Sequence, residues 1–337
     1  MTRIAVLGAG SWGTALAVHL ARAGRTVTLW ARDPDLAREV ERDRRNARYL
    51  PHAEIPAGVT VTSALATALG DAAFVVVAVP SHGVRQVVRA AVPSLAADAT
   101  LVSATKGLEA ASLQRMSDVI AGETSGQRPI VVLSGPSFAA EVARELPTAI
   151  VAASTDAEAV RRVQEQFRGR GLRIYVSDDV AGVEIGGALK NVIAIAAGVV
   201  GGLGLGHNAM AALITRGLVE ISRLACAEGG RRDTLAGLSG LGDLVLTCTG
   251  SLSRNRYVGT ELGRGRPLQE ILGGMRMVAE GVNTTGAALA LGEKHHVELP
   301  ITAQMAAVLS GGRTPLDAVD ALMGRRQRPE QDGDSRQ

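Results

Sequence analysis

The chain has 337 residues, more than one ordinary core accommodates, so two domains are expected. Hydrophobic residues make up 46% and aromatics only 2%, which gives a packable interior built mainly of Ala, Val, Leu and Ile. A net charge of +3 argues against a nucleic-acid partner, and two cysteines without metal-ligand spacing suit a reducing compartment with no metal.

Arg3 to Gly8 follows Met1-Thr2 directly, with no signal peptide, and reads as a short buried strand. Gly8-Ala9-Gly10-Ser11-Trp12-Gly13 comes next and opens a helix that runs to Ala23 and stops at Gly24. Thr26–Trp30 reads as the second strand, and apolar runs at 74–79, 101–104, 130–133, 149–153 and 173–176 read as the others. Helical segments such as Val84–Ala91 and Ala157–Phe167 separate most of them. Strands alternating with helices predict an α/β, Rossmann-type domain with a doubly wound parallel sheet over residues 1–178. From Asp179 the periodicity is helical with glycine breaks, which predicts an all-helical domain over 179–323. The polar stretch 324–337 is expected to be a disordered tail. The longest uncharged stretch, Asn191 to Gly206, holds five glycines and is too short to span a membrane, so no membrane insertion is expected. A cytoplasmic protein follows, with a homodimer as the expected assembly.

The glycine string carries chemistry because of where it lies, after a strand and at the start of a helix. Gly8 permits the tight turn, Gly10 lets the backbone approach a pyrophosphate, and Gly13 allows close helix–strand packing. The helix N-terminus supplies free N–H groups for that pyrophosphate. After the second strand, Arg32 suits the 2′-phosphate of NADPH, or is a solvated surface arginine. Asp33 lies one position late for the usual ribose contact but keeps NADH open.

Of 36 basic residues only three are lysines, Lys106, Lys190 and Lys294. A lysine kept in so arginine-rich a chain points to a place where an ammonium is required, since only lysine readily loses its proton. Lys106 follows the strand 101–104 at the edge where open α/β sheets bind ligands, or it is a plain loop lysine. Ser134-Gly135-Pro136-Ser137-Phe138-Ala139 follows the next strand at the same edge and reads as site wall, offering flexible backbone and a hydroxyl close to where a nicotinamide would lie. Lys190 is the only Asp, Glu, Lys or Arg between Ile185 and Gly206, a run apolar on every face. A lone ammonium in a buried helix is costly, and desolvation lowers its pKa towards the range useful for proton transfer. Lys190 is therefore the expected general acid–base, with Asn191 as a polar neighbour. Further on, the run Gly240 to Thr247 offers Asp243 to hold Lys190, and Ser253-Arg254-Asn255 offers planar donors and a hydroxyl for a phosphate. Ser253 alone would also read as a helix cap. His295 and His296 read as exposed, and His82 and His207 receive no role.

Together these motifs resemble the bacterial NAD(P)-dependent glycerol-3-phosphate dehydrogenases. The likeness is carried by Gly8–Ala15 (GAGSWGTA), Asn46–Pro51 (NARYLP), Thr105-Lys106-Gly107, Ser134–Ser137 (SGPS), Gly187–Val192 (GALKNV), Gly240–Asp243 (GLGD), Ser253–Asn255 (SRN) and Glu280-Gly281, in order from residue 3 to about 323. The resemblance implies contacts to NADPH or NADH (NADP+/NAD+) at Ser11, Trp12, Arg32, Tyr49, Lys106, Ala139, Arg254, Val278 and Glu280. It implies contacts to dihydroxyacetone phosphate or sn-glycerol 3-phosphate at Lys106, Gly135, Ser137, Asp243, Ser253, Arg254 and Asn255, with Thr247 and Asn191 beside them and Lys190 as proton carrier. The implied reaction is reversible reduction of dihydroxyacetone phosphate in support of glycerophospholipid synthesis. Met210 is a departure, standing where relatives often carry a basic residue. Two other readings stay open on the residues alone. One is a β-hydroxyacid or 2-ketopantoate type reductase on the same plan, and the other is a non-catalytic NADH sensor.

Overall fold

The computed structural model describes residues 2–327, 329 and 330. Strand β1 (Arg3–Leu7) leads into α1 (Ser11–Arg22), β2 (Thr26–Trp30) and α2 (Pro34–Asp43). A small hairpin of β3 (Arg45–Asn46) and β4 (Leu50–Glu54) precedes β5 (Val59–Thr62), α3 (Leu65–Leu69), β6 (Phe74–Val77) and α4 (Val84–Ala91). Then come β7 (Thr100–Ser103), α5 (Met116–Glu123), β8 (Ile130–Ser134), α6 (Ala139–Ala143), β9 (Thr148–Ala153), α7 (Ala157–Phe167) and β10 (Leu172–Ser177). From there the described chain is helical: α8 (Val180–Gly202), α9 (Gly206–Ala227), α10 (Arg232–Ala236), α11 (Asp243–Thr249), α12 (Arg254–Gly263), α13 (Leu268–Gly273), α14 (Glu280–Lys294), α15 (Pro300–Leu309) and α16 (Pro315–Met323).

Eight strands form one sheet in the order β10-β9-β8-β7-β6-β1-β2-β5. Apolar side chains of β1, β6 and β7 are buried on both faces, as a sheet covered by helices on both sides requires. The sheet departs from the all-parallel expectation at one seam, where β8 and β9 run antiparallel. A parallel return needs a crossover of a dozen or more residues with a covering helix. The link from β8 to β9 instead spends itself on the Ser134–Phe138 turn and the five-residue α6, which packs on α1. The chain therefore re-enters from the same edge, and α7 carries it to β10, which runs parallel to β9 and, like β9, antiparallel to the other six strands. The hairpin and β5 escaped the sequence reading because Arg45–Glu54 is polar and β5 is a four-residue edge strand.

Helix α8 is the axis of the helical region, and every residue from Gly182 to Val200 is buried. Asp179 caps it by accepting from the Gly182 N–H at 2.8 Å, and also takes the Arg231 N–H at 2.8 Å. By length and composition it could cross a membrane, yet the whole apolar window lies inside the fold. Helix α12 approaches it at backbone distance. A Cβ on Gly198 would lie 2.1 Å from the Arg256 carbonyl oxygen, and one on Gly259 would lie 1.9 Å from that of Ile195. Two buried carboxylates tie other parts together. Glu184 of α8 accepts from the N–H and hydroxyl of Ser117 at the start of α5, at 2.9 and 2.5 Å. Glu220 of α9 accepts from the Ile301 and Thr302 N–H groups at 2.5 and 3.2 Å, capping α15. Burial pushes both carboxyls up to about 7.

Met210 is partly buried against the helical core, so it packs where a basic residue would have pointed a charge. His296 is exposed, but His295 is half-buried and bonded to Glu228 at 2.5 Å, which corrects the surface reading of that residue. Most of the expected tail, residue 328 and residues 331–337, lies outside the described residues. Nearer the last helix, Arg325 pairs with Glu298 at 3.2 Å.

The close approach of α8 and α12 makes a direct test. Gly198→Ala should destabilise the protein by about 1–3 kcal/mol, since backbone has to move to admit the methyl. An unchanged Tm would show that the helices have room between them.

Candidate active site

The nucleotide loop is built as its glycines predict. Gly8 has φ of +117°, and a Cβ there would meet the Ala78 carbonyl oxygen at 2.7 Å. A Cβ on Gly13 would lie 1.9 Å from the Gly8 carbonyl oxygen, so α1 presses directly on the turn. Gly10 has no atom within 4 Å of its missing Cβ, and it is the N-cap of α1 with no side chain bonded to the helix end. Open backbone and uncapped N–H groups fit a dinucleotide pyrophosphate. Ser11 and Trp12 open the helix and are partly buried.

The hairpin is fastened to this loop by Asn46, which the sequence reading quoted but gave no task. It is 0% exposed, and its amide donates to the Ala9 carbonyl and the Thr14 hydroxyl, both at 2.9 Å. Its carbonyl accepts from the Tyr49 N–H at 3.2 Å, which places Tyr49 beside the loop. Arg32 is exposed and makes no hydrogen bond or ion pair among the described residues. Asp33 is occupied twice over, capping α2 through the Asp35 N–H at 2.9 Å and pairing with Arg48 at 3.0 Å.

At the sheet edge, three segments meet on one carboxylate. Asp243, the first residue of α11, is 0% exposed. Its Oδ2 accepts from the Lys106 ammonium at 2.7 Å, and its Oδ1 from the Lys190 ammonium at 2.5 Å. Lys106 also donates to the Gly135 carbonyl at 2.8 Å, and Lys190 to the Thr247 hydroxyl at 2.8 Å. The Thr247 hydroxyl donates in turn to the Asp243 carbonyl at 2.6 Å, so its one proton is committed and a lone pair is turned to Lys190. Lys190 is thus the only charge along its stretch of helix, and in space it is paired with Asp243. Burial pulls its pKa down, Asp243 pulls it up, and Lys106 lowers it, leaving it at about 8. The neighbouring Cys248 thiol is pushed up to about 12 by burial and stays protonated.

Two polar ties frame this cluster. The Asn255 side-chain amide donates to the Asn191 side-chain Oδ1 at 2.9 Å, and its Oδ1 accepts from the Gly281 N–H at 2.9 Å, joining α8, α12 and α14. Glu280 accepts from the Ser81 N–H at 3.1 Å and the Ser81 hydroxyl at 2.6 Å, linking α14 to the turn after β6. Ser81 was missed, because a serine after a strand carries no signal until its partner 199 residues away is known. Ser253 is the N-cap of α12, accepting from the Arg256 N–H at 3.2 Å. Arg254 is half-buried, lies near Glu280, and has no hydrogen-bond partner among the described residues. Desolvation lowers its pKa, with Glu280 opposing. A desolvated guanidinium with unused donors is a seat for an anion.

Ser137 turns its hydroxyl back to the Gly135 carbonyl at 2.9 Å, and Gly135 itself has φ of +124°. Ala139 begins α6 and Val278 lies just before α14, both partly buried. The structure therefore brings Lys106, Gly135, Lys190, Asp243 and Thr247 into direct contact, and links Asn191 with Asn255. Tyr49 and Val278 have no bond to that cluster.

Family models described as the N-terminus and C-terminus of NAD-dependent glycerol-3-phosphate dehydrogenase match residues 3–160 and 179–320. Glycerol-3-phosphate dehydrogenase [NAD(P)+] of Koribacter versatilis is 54% identical over 329 residues, covering 96% of this chain and 98% of its own. The protein of the same name from Acidobacterium capsulatum is 52% identical over 338 residues, covering 98% and 100%. The crystal structure of glycerol-3-phosphate dehydrogenase from Coxiella burnetii superposes with a TM-score of 0.93 at 42% identity, covering 96% of this chain and 99% of that one.

The shared carboxylate predicts a titration. With lysine labelled at Cε, the resonance lost in Lys190→Ala should titrate near pH 8. In Asp243→Asn the same resonance should titrate lower, since the raising partner is gone and Lys106 remains. A Lys190 resonance that titrates where a free lysine does would show that pairing outweighs burial.

Proposed function

We propose how this site works from one premise: the chain belongs to the NAD-dependent glycerol-3-phosphate dehydrogenase family. It is an NAD(P)-dependent oxidoreductase acting on a CH–OH group, interconverting dihydroxyacetone phosphate and sn-glycerol 3-phosphate. The observation that carries the mechanism is the pair of ammonium groups on one buried carboxylate at the sheet edge. When bound, the reduced nicotinamide supplies hydride to C2 of dihydroxyacetone phosphate. Lys190 gives its proton to the oxygen left at C2, and a pKa of about 8 keeps both protonation states within reach. Lys106, held on the same carboxylate, supports the developing negative charge. Asp243 holds both lysines, with Thr247 fixing the second.

Arg254, with its donors unspent, anchors the substrate phosphate and so positions C2. Asn255 has one amide hydrogen bonded to Asn191 and its carbonyl filled by Gly281, so we read it mainly as the tie that orients α12. Asn191 keeps its own amide donors for substrate. Gly135 and Ser137 line the same edge beside Lys106. We take residues 1–178 as the cofactor domain and 179–323 as the substrate and catalytic domain. Ser11, Trp12, Arg32, Tyr49, Ala139, Val278 and Glu280 are the remaining cofactor contacts in this reading. The product is a three-carbon phosphate with two free hydroxyls, the backbone that acylation turns into glycerophospholipid, and we place the enzyme upstream of that synthesis. A cytoplasmic setting is supported by the two cysteines, both free, and the burial of the one long apolar helix among the described residues supports a chain that does not insert into a membrane. A homodimer would cover exposed apolar side chains such as Leu316 and Met323.

Lys190→Ala should reduce turnover on the order of 10²–10⁴-fold while NADPH still binds. In the wild type, kcat/KM for dihydroxyacetone phosphate reduction should fall as pH rises through about 8, because the donor must be protonated. Oxidation of sn-glycerol 3-phosphate should rise through the same range, because the acceptor must be neutral. Turnover above a tenth of wild type in Lys190→Ala would exclude the role.

Arg254→Lys keeps the charge but loses the planar fork. It should cost roughly ten- to a hundredfold in kcat/KM on the phosphorylated substrate, the worth of one hydrogen bond to a charged group. Plain dihydroxyacetone, already a poor substrate, should be much less affected. Equal losses on both substrates would remove Arg254 from the phosphate.

A further inference from the structure

The corner where β2 ends sets a basic and an acidic side chain next to each other, with only the acidic one partnered. In a Rossmann domain the ribose 2′ position lies at the end of the second strand, where a free carboxylate selects the 2′-hydroxyl and an arginine accommodates the 2′-phosphate. This chain has both, side by side, in Arg32 and Asp33. Left alone they would oppose each other, since an ionised Asp33 repels the phosphate that Arg32 attracts.

The carboxylate is not left alone. Its Oδ1 accepts the Asp35 N–H at the start of α2, and its Oδ2 accepts Arg48 Nη1 at 3.0 Å. Arg48 Nη2 lies 3.2 Å from both oxygens of Glu39, so the guanidinium is committed to two carboxylates and is not a free fork. Arg32 is the reverse case, exposed and without a partner among the described residues. Arg38 and Asp35 pair with each other and cancel. With Arg48 in place, Arg32, Asp33, Glu39 and Arg48 sum to zero, and without it to −1.

Arg48 does not reach this corner by chance of a floppy loop. It lies in the turn between β3 and β4, two residues after Asn46, which is bolted to Ala9 of the glycine loop and to Thr14 of α1. The buried amide that fixes the pyrophosphate loop therefore also fixes the residue that covers Asp33.

We propose that Arg48 is a specificity-determining residue: by masking Asp33 it lets Arg32 receive the 2′-phosphate and so sets the preference for NADPH over NADH. The inference rests on the nicotinamide-cofactor reading of the site, and concerns only the ratio between the two cofactors. Arg48 acts through Asp33 and is a positioning residue, not a catalytic one.

The test is a double-mutant cycle on cofactor binding, read by isothermal titration of NADPH and NADH without substrate. Arg48→Ala should weaken NADPH by roughly three- to tenfold, the range between an exposed ion pair and a charge-assisted bond to phosphate. NADH should not weaken, as it has no 2′-phosphate to be repelled and a freed Asp33 carboxylate can accept its 2′-hydroxyl. In an Asp33→Asn background, where asparagine still caps α2, the same Arg48→Ala change should leave the NADPH-to-NADH ratio untouched. A ratio unmoved by Arg48→Ala overturns the proposal. So does an equal shift in the Asp33→Asn background, which would mean that Arg48 meets the phosphate directly. Wild-type protein that bound neither cofactor would instead sink the cofactor reading itself, which separates the two failures.

Discussion

The site depends on a carboxylate that water never reaches. Asp243 lies at the junction of three parts of the chain and takes an ammonium from two of them. Stripping water from a carboxylate costs several kcal/mol, and a single opposite charge seldom offsets that cost unless further hydrogen bonds complete the shell. Here two cations supply the charge, and Thr247 and the Gly135 carbonyl take up ammonium hydrogens that would otherwise be left over. The cluster carries one net positive charge, which suits a site that must receive a phosphate ester and stabilise an oxyanion. Without Asp243 the two lysines would face each other as like charges, and the sheet edge would lose its registration against α8 and α11.

That registration is held from several directions. Glycines at 198 and 259 let α8 and α12 meet backbone to backbone, so Lys190 on one helix and Arg254 on the other keep a fixed separation. Asn255 pins the same two helices to α14. Glu184 and Glu280 each reach from a helix of the C-terminal region to a serine in the sheet region, taking an N–H and an O–H together. Lys106, Lys190, Asp243 and Arg254 are thereby held in place by backbone contacts and by hydrogen bonds between the two regions.

Much of this was legible in the sequence, and the parts that were not have physical reasons. The glycine string, the strand–helix alternation and the change to helix near residue 178 show directly in local pattern. Lys190 stood out because a charge inside an otherwise apolar run is expensive wherever the chain goes. Its sharing of Asp243 with Lys106 could not be read, since partners 53 and 137 residues apart leave no periodic trace. The bonds made by Asn46 and Ser81 were hidden for the same reason. The antiparallel seam was hidden because direction is set by how the link packs, not by the strand residues. Asp33 was seen as a possible ribose ligand, and only coordinates reveal that its oxygens are already taken.

The burial of α8 also has a consequence for how the protein is made. Its coverings, α9, α11, α12, α14 and α15, all follow it in the chain. A ribosome therefore releases a long apolar helix well before the segments that enclose it, the last of which ends at Leu309. Until then the nascent chain carries a surface that favours self-association, and the N-terminal sheet, which folds from earlier residues, covers only part of it. Translation speed across residues 203–309 and chaperone supply therefore bear on how much of the chain reaches the finished fold.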